Sequence, residues 1–324
     1  MPVFEMPFEQ MLIYKGTNPK PADFDAYWQR GLAQMQALGT GCELAPADFT
    51  APGVDCYHLW FQGVYGARVY AKLLLPKGGE KCPALVRFHG YSGDSGDWTH
   101  HLAYAQAGFA VAALDCRGQG GKSQDVGGVL GNTLSGQIIR GLDDPDPDRM
   151  LTRALFLDAA QLTRIVMAFP QVDETRVGAT GGSQGGALTL AAASLEPRIN
   201  RLAPVYPFMC DYRRVWNMDL AVDAYKELRD YFRRFDPQHK REEEVFTKLG
   251  YVDLQHLAGR IQGETLLCTG LMDTICPPST QFAAFNKIPS AKRYELWPDF
   301  GHEGLPGADD LIFRFMLGMI STAS

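Results

Sequence analysis

The stretch Gly181-Gly182-Ser183-Gln184-Gly185-Gly186 constrains this chain more than any other. Before it stands a β-type run, Thr175-Arg176-Val177-Gly178-Ala179-Thr180. After it comes a helix-type run, Ala187-Leu188-Thr189-Leu190-Ala191-Ala192-Ala193. Strand, Gly-x-Ser-x-Gly, helix is the setting that a sharp nucleophile turn requires. Glycines lack a Cβ, so strand and helix can approach closely. The serine then takes strained dihedrals that push its hydroxyl above the sheet. The helix starting there turns its free N–H groups and positive dipole end toward the same point. A glycine-rich turn with an incidental serine carries the same five-residue pattern, so the rest of the chain must decide.

Elsewhere strand-like and helix-like runs alternate. Residues 21–38 read as an amphipathic helix, with Phe24, Trp28, Leu32, Met35 and Leu38 at helical spacing. That stripe suits packing against the body or a neighbouring subunit. Residues 57–61 and 69–75 flank Gly63 and Gly66 as a hairpin. Strands follow at 83–88 and 108–115, the second apolar enough to be buried on both faces. Helices are expected from Trp98 to Ala107 and from Leu151 to Phe169, the latter with Leu155, Ala159, Leu162 and Val166 on one face. After the strand at 202–206 the alternation pauses. Residues 211–250 read as a polar helical insertion capping the catalytic face, with Leu220, Ala224, Leu228, Tyr231 and Phe235 as one stripe. Strands at 264–270 and 293–297 and a helix over 308–320 close the pattern.

This repetition implies an α/β fold. The expectation is a mostly parallel, doubly wound sheet with an N-terminal antiparallel hairpin and a helical insertion, in one domain over 1–324. Ligands of such sheets bind outside the carboxyl ends of the strands. His89-Gly90-Tyr91, Ser183, Asp273 and His302 all follow predicted strands at that edge.

A serine hydroxyl needs a base to take its proton as it attacks. The order Ser183, Asp273, His302 is the order that an α/β-hydrolase sheet imposes. His302 would be the base, and Asp273 would hold its tautomer. Oxyanion donors are expected at the backbone N–H of Gln184 and, after the third strand, of Tyr91. Asp273 also reads as a helix cap, since Pro277 and Pro278 follow in a loop. Asp299 is a rival acid, but it stands too close in sequence to His302 to be the usual partner. His58, His89, His100, His101, His239 and His256 do not follow a last strand, and His89 reads as structural. His302-Glu303 lacks the second histidine of a zinc helix, and Gly121-Lys122-Ser123 lacks the first glycine of a phosphate loop. No metal and no cofactor are expected.

The 324 residues are 46% hydrophobic with a formal net charge of −6, which argues against a nucleic-acid partner. Arg229, Arg233, Arg234, Lys240 and Arg241 run straight into Glu242, Glu243 and Glu244, a solvated mixed-charge face. The acidic stretch 143–148, in a loop over 124–148, lacks the glycine and closing glutamate of a calcium loop. No apolar run reaches membrane-spanning length, and the first five residues do not read as a signal peptide. Seven scattered cysteines without CxxC spacing fit reduced thiols and a cytoplasmic location.

Arg117-Gly118-Gln119, Gly181-Gly182-Ser183-Gln184-Gly185 and His302-Glu303, in that order, resemble carbohydrate esterase family 7. This is the family of acetyl xylan esterases and cephalosporin C deacetylases. His89-Gly90-Tyr91, Phe169-Pro170-Gln171-Val172-Asp173 and Tyr206-Pro207-Phe208-Met209-Cys210-Asp211 match it too, from the Phe24–Trp28 region to the C-terminus. The resemblance implies removal of acetyl groups from small substituted sugars and cephalosporin C. It implies the triad Ser183, Asp273, His302 and the oxyanion donors Tyr91 and Gln184. It gives Arg117 and Gln119 a structural role near the site. It also implies a cytoplasmic, metal-free, ring-like hexamer whose sites face an inner chamber. A related hydrolase acting on other short-chain esters or on peptides stays open, as does a hydrolase fold that only binds.

Overall fold

A computed structural model describes residues 5–78, 81–126, 128–131 and 137–320. The reading of residues 1–4 and part of the expected loop, at 127 and 132–136, lie outside the described residues. The strands are β1 (Cys42–Pro46), β2 (Val54–Gln62), β3 (Arg68–Pro76), β4 (Cys82–Phe88), β5 (Ala110–Leu114), β6 (Val172–Gly182), β7 (Arg201–Val205), β8 (Glu264–Gly270) and β9 (Lys292–Trp297). They form one sheet in the order β1-β2-β3-β5-β4-β6-β7-β8-β9. From β5 to β9 all neighbours are parallel. The pairs β1–β2, β2–β3 and β3–β5 are antiparallel. The sequence shows the β2–β3 hairpin. It does not show β1, because four of its five residues are exposed at the sheet edge and carry no apolar alternation.

The helices in chain order are α1 (Phe8–Met11), α2 (Phe24–Ala37), α3 (Thr99–Gln106), α4 (Leu151–Met167), α5 (Gln184–Leu195), α6 (Tyr212–Asn217), α7 (Lys226–Phe235), α8 (Glu242–Leu249), α9 (Leu254–Leu257), α10 (Pro278–Phe285) and α11 (Ala308–Leu317). The sheet is covered on both faces. Ala84, Val86, Ala110, Ala112 and Leu114 pack into one apolar cluster with α4 and α5. Leu85 and Val111 point the other way, into a second cluster with α3 and α11. The all-apolar run of β5 follows from burial on both sides.

Helix α4 is more enclosed than its expected single face: only Arg164 is not buried. The cause is a further layer, α2, laid over it. Trp28 stacks on Phe156 of α4 with ring centroids 6.1 Å apart. The Trp28 indole N–H donates to the Tyr251 carbonyl at 2.9 Å. The α2 stripe thus faces the body of the same chain, with Tyr27 joining Phe24, Trp28 and Met35 inside it.

The insertion between β7 and β8 departs from the single stripe expected over 211–250. It breaks into α6, a 3-10 turn at Asp223–Tyr225, α7 and α8. Asp219 and Asp223 adopt positive φ of 56° and 47°, which ends one helix before the next begins. Only Leu228, Tyr231 and Phe235 of the expected stripe lie within α7. Two members of the basic run are ion-paired: Arg229 meets Asp219, and Arg241 meets Asp143 and Glu244.

Candidate active site

Parallel strands end at the same edge, so the loops after β4, β6, β8 and β9 meet there. Ser183 sits between β6 and α5 with φ 58° and ψ −118°, a left-handed backbone that side chains other than glycine rarely take. Its N–H donates to the Val205 carbonyl at 3.0 Å, and its own carbonyl accepts from Phe208 and Ala187, each at 3.0 Å. The neighbouring glycines are required by the strand beside them. A Cβ at Gly181 or at Gly185 would collide with the Phe88 carbonyl of β4.

Asp273 follows β8 and is fully buried. Its two oxygens divide the work. Oδ1 accepts the N–H groups of Ile275 at 2.9 Å and Cys276 at 2.7 Å. Oδ2 lies 2.8 Å from His302 Nδ1. One carboxylate thus closes its own turn and holds the imidazole; it does not cap a helix, because α10 starts at Pro278 with Pro277 as its N-cap. His302, after β9, places Nε2 2.9 Å from Ser183 Oγ. This network assigns Nδ1–H as donor to Asp273 and leaves Nε2 to accept the serine proton. The Tyr206 ring packs 4.5 Å from the imidazole and fixes its tilt. Asp299 is exposed, outside this chain of bonds.

Residues 1–319 match the family described as Acetyl xylan esterase (AXE1). The chain belongs to the acetyl xylan esterase family. It is 56% identical to acetyl xylan esterase 1 from Thermoanaerobacterium sp. JW/SL YS485, with a TM-score of 0.96 over 98% of this chain and 100% of that one. It is 35% identical to the acetyl xylan esterase from Paenibacillus sp. R4, with a TM-score of 0.91 over 97% and 99% of the two chains. It is also 26% identical over 292 residues to the acetyl esterase Axe7A of Xylanibacter ruminicola, covering 88% of this chain. The chain spans 64% of the length of that curated relative.

The other residues that the sequence singles out also gather at the strand edge of this acetyl xylan esterase family member. Gln184 is fully buried and begins α5, so its backbone N–H is one of the donors a helix start leaves without a helical partner. Tyr91 lies half-buried in the loop after β4. Burial, helped by Glu227, pushes its phenol up to about 12. His89 is structural, as expected: Nε2 accepts the Cys116 N–H at 3.0 Å, and burial pulls its pKa down. Arg117 grips Asp158 of α4 and donates to the Val64 carbonyl at 3.2 Å. Gln119 pairs with the Gln184 side chain. Ser123, from the rejected phosphate motif, instead ties the Tyr70 N–H to the Asp115 carbonyl.

Asp273, Cys276 and His302 bring ligand-type atoms within 4.8 Å of one another. Both imidazole nitrogens are already engaged, one by Asp273 and one by Ser183, and burial pushes the Cys276 thiol well up. The arrangement is that of a proton relay, and a cation there would have to displace one of its hydrogen bonds.

A cleft of about 400 Å³ adjoins the elbow at Gly182 and Tyr206. Another of about 410 Å³ lies by Trp60 and Arg68, and neither cleft has a triad residue in its lining, so cavity volume does not mark the site. Sequence reading missed Asp158, Gln137, Tyr206 and Cys276. Tyr206 carried a signal in its place in the Tyr206–Asp211 motif, and Cys276 stands three residues after Asp273; Asp158 and Gln137 reach the site through long-range contacts.

Proposed function

We propose that this chain is a serine esterase that removes acetyl groups from small acetylated carbohydrates, such as xylo-oligosaccharides, through an acetyl-Ser183 intermediate. The observation that carries this reading is His302, 2.8 Å from Asp273 and 2.9 Å from Ser183. In the first half-reaction Ser183 Oγ attacks the acetyl carbonyl while His302 Nε2 takes its proton. The negative charge grows on the former carbonyl oxygen, toward the N–H groups of Gln184 and Tyr91. Asp273 stabilises the imidazolium without taking its proton. As the tetrahedral intermediate collapses, His302 hands the proton to the sugar oxygen and the alcohol leaves. Water then repeats the sequence on the acetyl ester, releasing acetate and restoring Ser183. No step calls for a metal or a cofactor.

Membership in the family supports the acetyl group and the carbohydrate alcohol. We extend the proposal to cephalosporin C, whose acetoxymethyl group presents the same acetyl ester. A cytoplasmic location is supported by the seven cysteines, none of them in a disulfide. A ring-like hexamer with inward-facing sites belongs to the same proposal, and would favour short oligosaccharides over polymer.

The test compares acetate release from acetylated xylo-oligosaccharides, polymeric acetyl xylan and cephalosporin C, beside acetyl, butyryl and octanoyl esters. Acetyl esters of small alcohols should be fastest. Ser183→Ala should lower turnover by roughly 10⁴-fold or more with the fold intact. Retained acetate release by that variant overturns the reading.

A further inference from the structure

We infer that Glu227, on helix α7 of the insertion, is a positioning residue for the oxyanion side of the site. The inference rests on the esterase reading above. Glu227 is only 4% exposed. Its carboxylate accepts three successive backbone N–H groups: Gln137 at 3.1 Å to each oxygen, Ile138 at 2.7 Å and Ile139 at 3.3 Å. Three amides turned onto one carboxylate form a nest, which a neutral side chain cannot fill equally well. The nest spans 90 residues of sequence and fixes the backbone that carries Gln137.

From there a line of side-chain amides runs to the elbow. Gln119 Nε2 donates to Gln137 Oε1 at 3.1 Å and to Gln184 Oε1 at 2.8 Å. Gln184 Nε2 donates back to Gln119 Oε1 at 3.0 Å and toward Cys116 Sγ at 3.5 Å. Both hydrogens of each of these amide nitrogens are used, so turning any one amide over would set N–H against N–H. The nest at its far end holds the backbone from which the Gln137 amide projects. Its near end is the side chain of the residue whose backbone N–H faces the developing oxyanion. Glu227 also acts electrostatically on the phenol of Tyr91, the residue that supplies the other donor. One buried carboxylate of the insertion thus reaches both donor residues, one through an amide line and the other through its field.

The experiment uses Glu227→Gln, Glu227→Asp and Gln137→Leu in the full chain. Two readouts are taken: kcat and KM on 4-nitrophenyl acetate, and the rate at which diethyl 4-nitrophenyl phosphate labels Ser183. Glu227→Gln should lower kcat and the labelling rate by about 10-fold, less than the ~10²–10³ that deleting a donor costs, with KM unchanged. Glu227→Asp should recover most of the loss, and Gln137→Leu should match it. The Glu227→Gln, Gln137→Leu double variant should be no slower than the worse single variant, because both cut one line. A folded Glu227→Gln protein with wild-type kcat and labelling rate overturns the inference, as do losses that multiply in the double variant. If Glu227→Gln does not fold, a wild-type rate for Gln137→Leu overturns it. Wild-type protein that is labelled at Ser183 but releases no acetate counts against the esterase reading, and the labelling ratio still tests Glu227.

Discussion

Arg117 and Asp158 meet as a two-pronged pair, Nε to Oδ2 and Nη2 to Oδ1, each at 2.6 Å, with both side chains almost wholly inaccessible. The pair joins the loop after β5 to the middle of α4. The third bond, from Arg117 to the Val64 carbonyl, adds the β2–β3 turn. Gly63 has no side chain because a Cβ there would overlap both partners.

The first prediction follows from burial. Asp158→Ala should cost about 3–5 kcal/mol in a urea unfolding series, because it strands a guanidinium away from water. Replacing both residues by apolar ones of similar volume should cost less than that single change. A loss for Asp158→Ala no larger than that of a surface substitution would mean the pair does not frame the site.

The second prediction concerns backbone strain. Ser183 holds φ at 58°, where a Cβ is unwelcome. Ser183→Gly and Ser183→Ala should be equally inactive, since both lack the nucleophile. Ser183→Gly should be the more stable of the two by about 1 kcal/mol, because strain of this kind costs roughly 1–3 kcal/mol and glycine's chain entropy returns part of it. Paired thermal melts measure the difference. Equal melting temperatures would show that the strain at the turn does not exceed the entropic cost of glycine.

The elbow, the parallel strands and the order of the triad were legible in the sequence because each is local or is fixed by topology. Ser183 announces itself through its glycines, and His302 through its place after the last strand. What stayed hidden depends on contacts between distant segments. Strand β1 has no buried face to pattern its residues. Asp158 looks like any polar position of a helix until the loop after β5 brings Arg117 onto it. Asp273 reads as a helix cap or as the triad acid; one sequence position does not reveal that one oxygen closes a turn at Ile275 and Cys276 while the other holds His302.

That division of labour yields the third prediction. Asp273→Asn keeps an oxygen for Ile275 and Cys276 but presents an N–H₂ group to His302 Nδ1, which forces the wrong tautomer. Turnover should fall by ~10⁴ while the fold survives. Asp299→Asn should leave turnover unchanged, since that carboxylate is exposed and lies outside the hydrogen-bonded chain. Steady-state rates on an acetyl ester decide. Comparable losses in both variants would reopen the choice of acid.

The fourth prediction comes from a second pair of carboxylates, Asp211 and Asp253, both wholly buried beneath the N-terminal segment. Asp211 holds that segment: it accepts the Tyr14 hydroxyl at 2.7 Å and the N–H groups of Thr17 at 3.0 Å and Asn18 at 2.9 Å. Asp253 in turn accepts the N–H of Asp211 at 2.9 Å and of Tyr212 at 3.2 Å. Burial, and then the Asp211 charge, push the Asp253 carboxyl up from 3.8 to about 7. Lys287 stands nearby and is itself pulled down, by burial first. A raised carboxyl binds its proton more tightly in the folded chain than in the unfolded one. The folded state is therefore favoured at low pH, and this contribution is lost as pH rises from about 4 through about 7. Urea unfolding of wild type between about pH 5 and about pH 8 should show stability falling more steeply than in Asp253→Asn, by at most about 1.4 kcal/mol per pH unit for one proton. The variant has its own cost, since its amide faces N–H donors, so the comparison rests on slopes and not on absolute stability. Identical slopes would mean that Asp253 stays ionised in both states, held so by the N–H groups pointed at it.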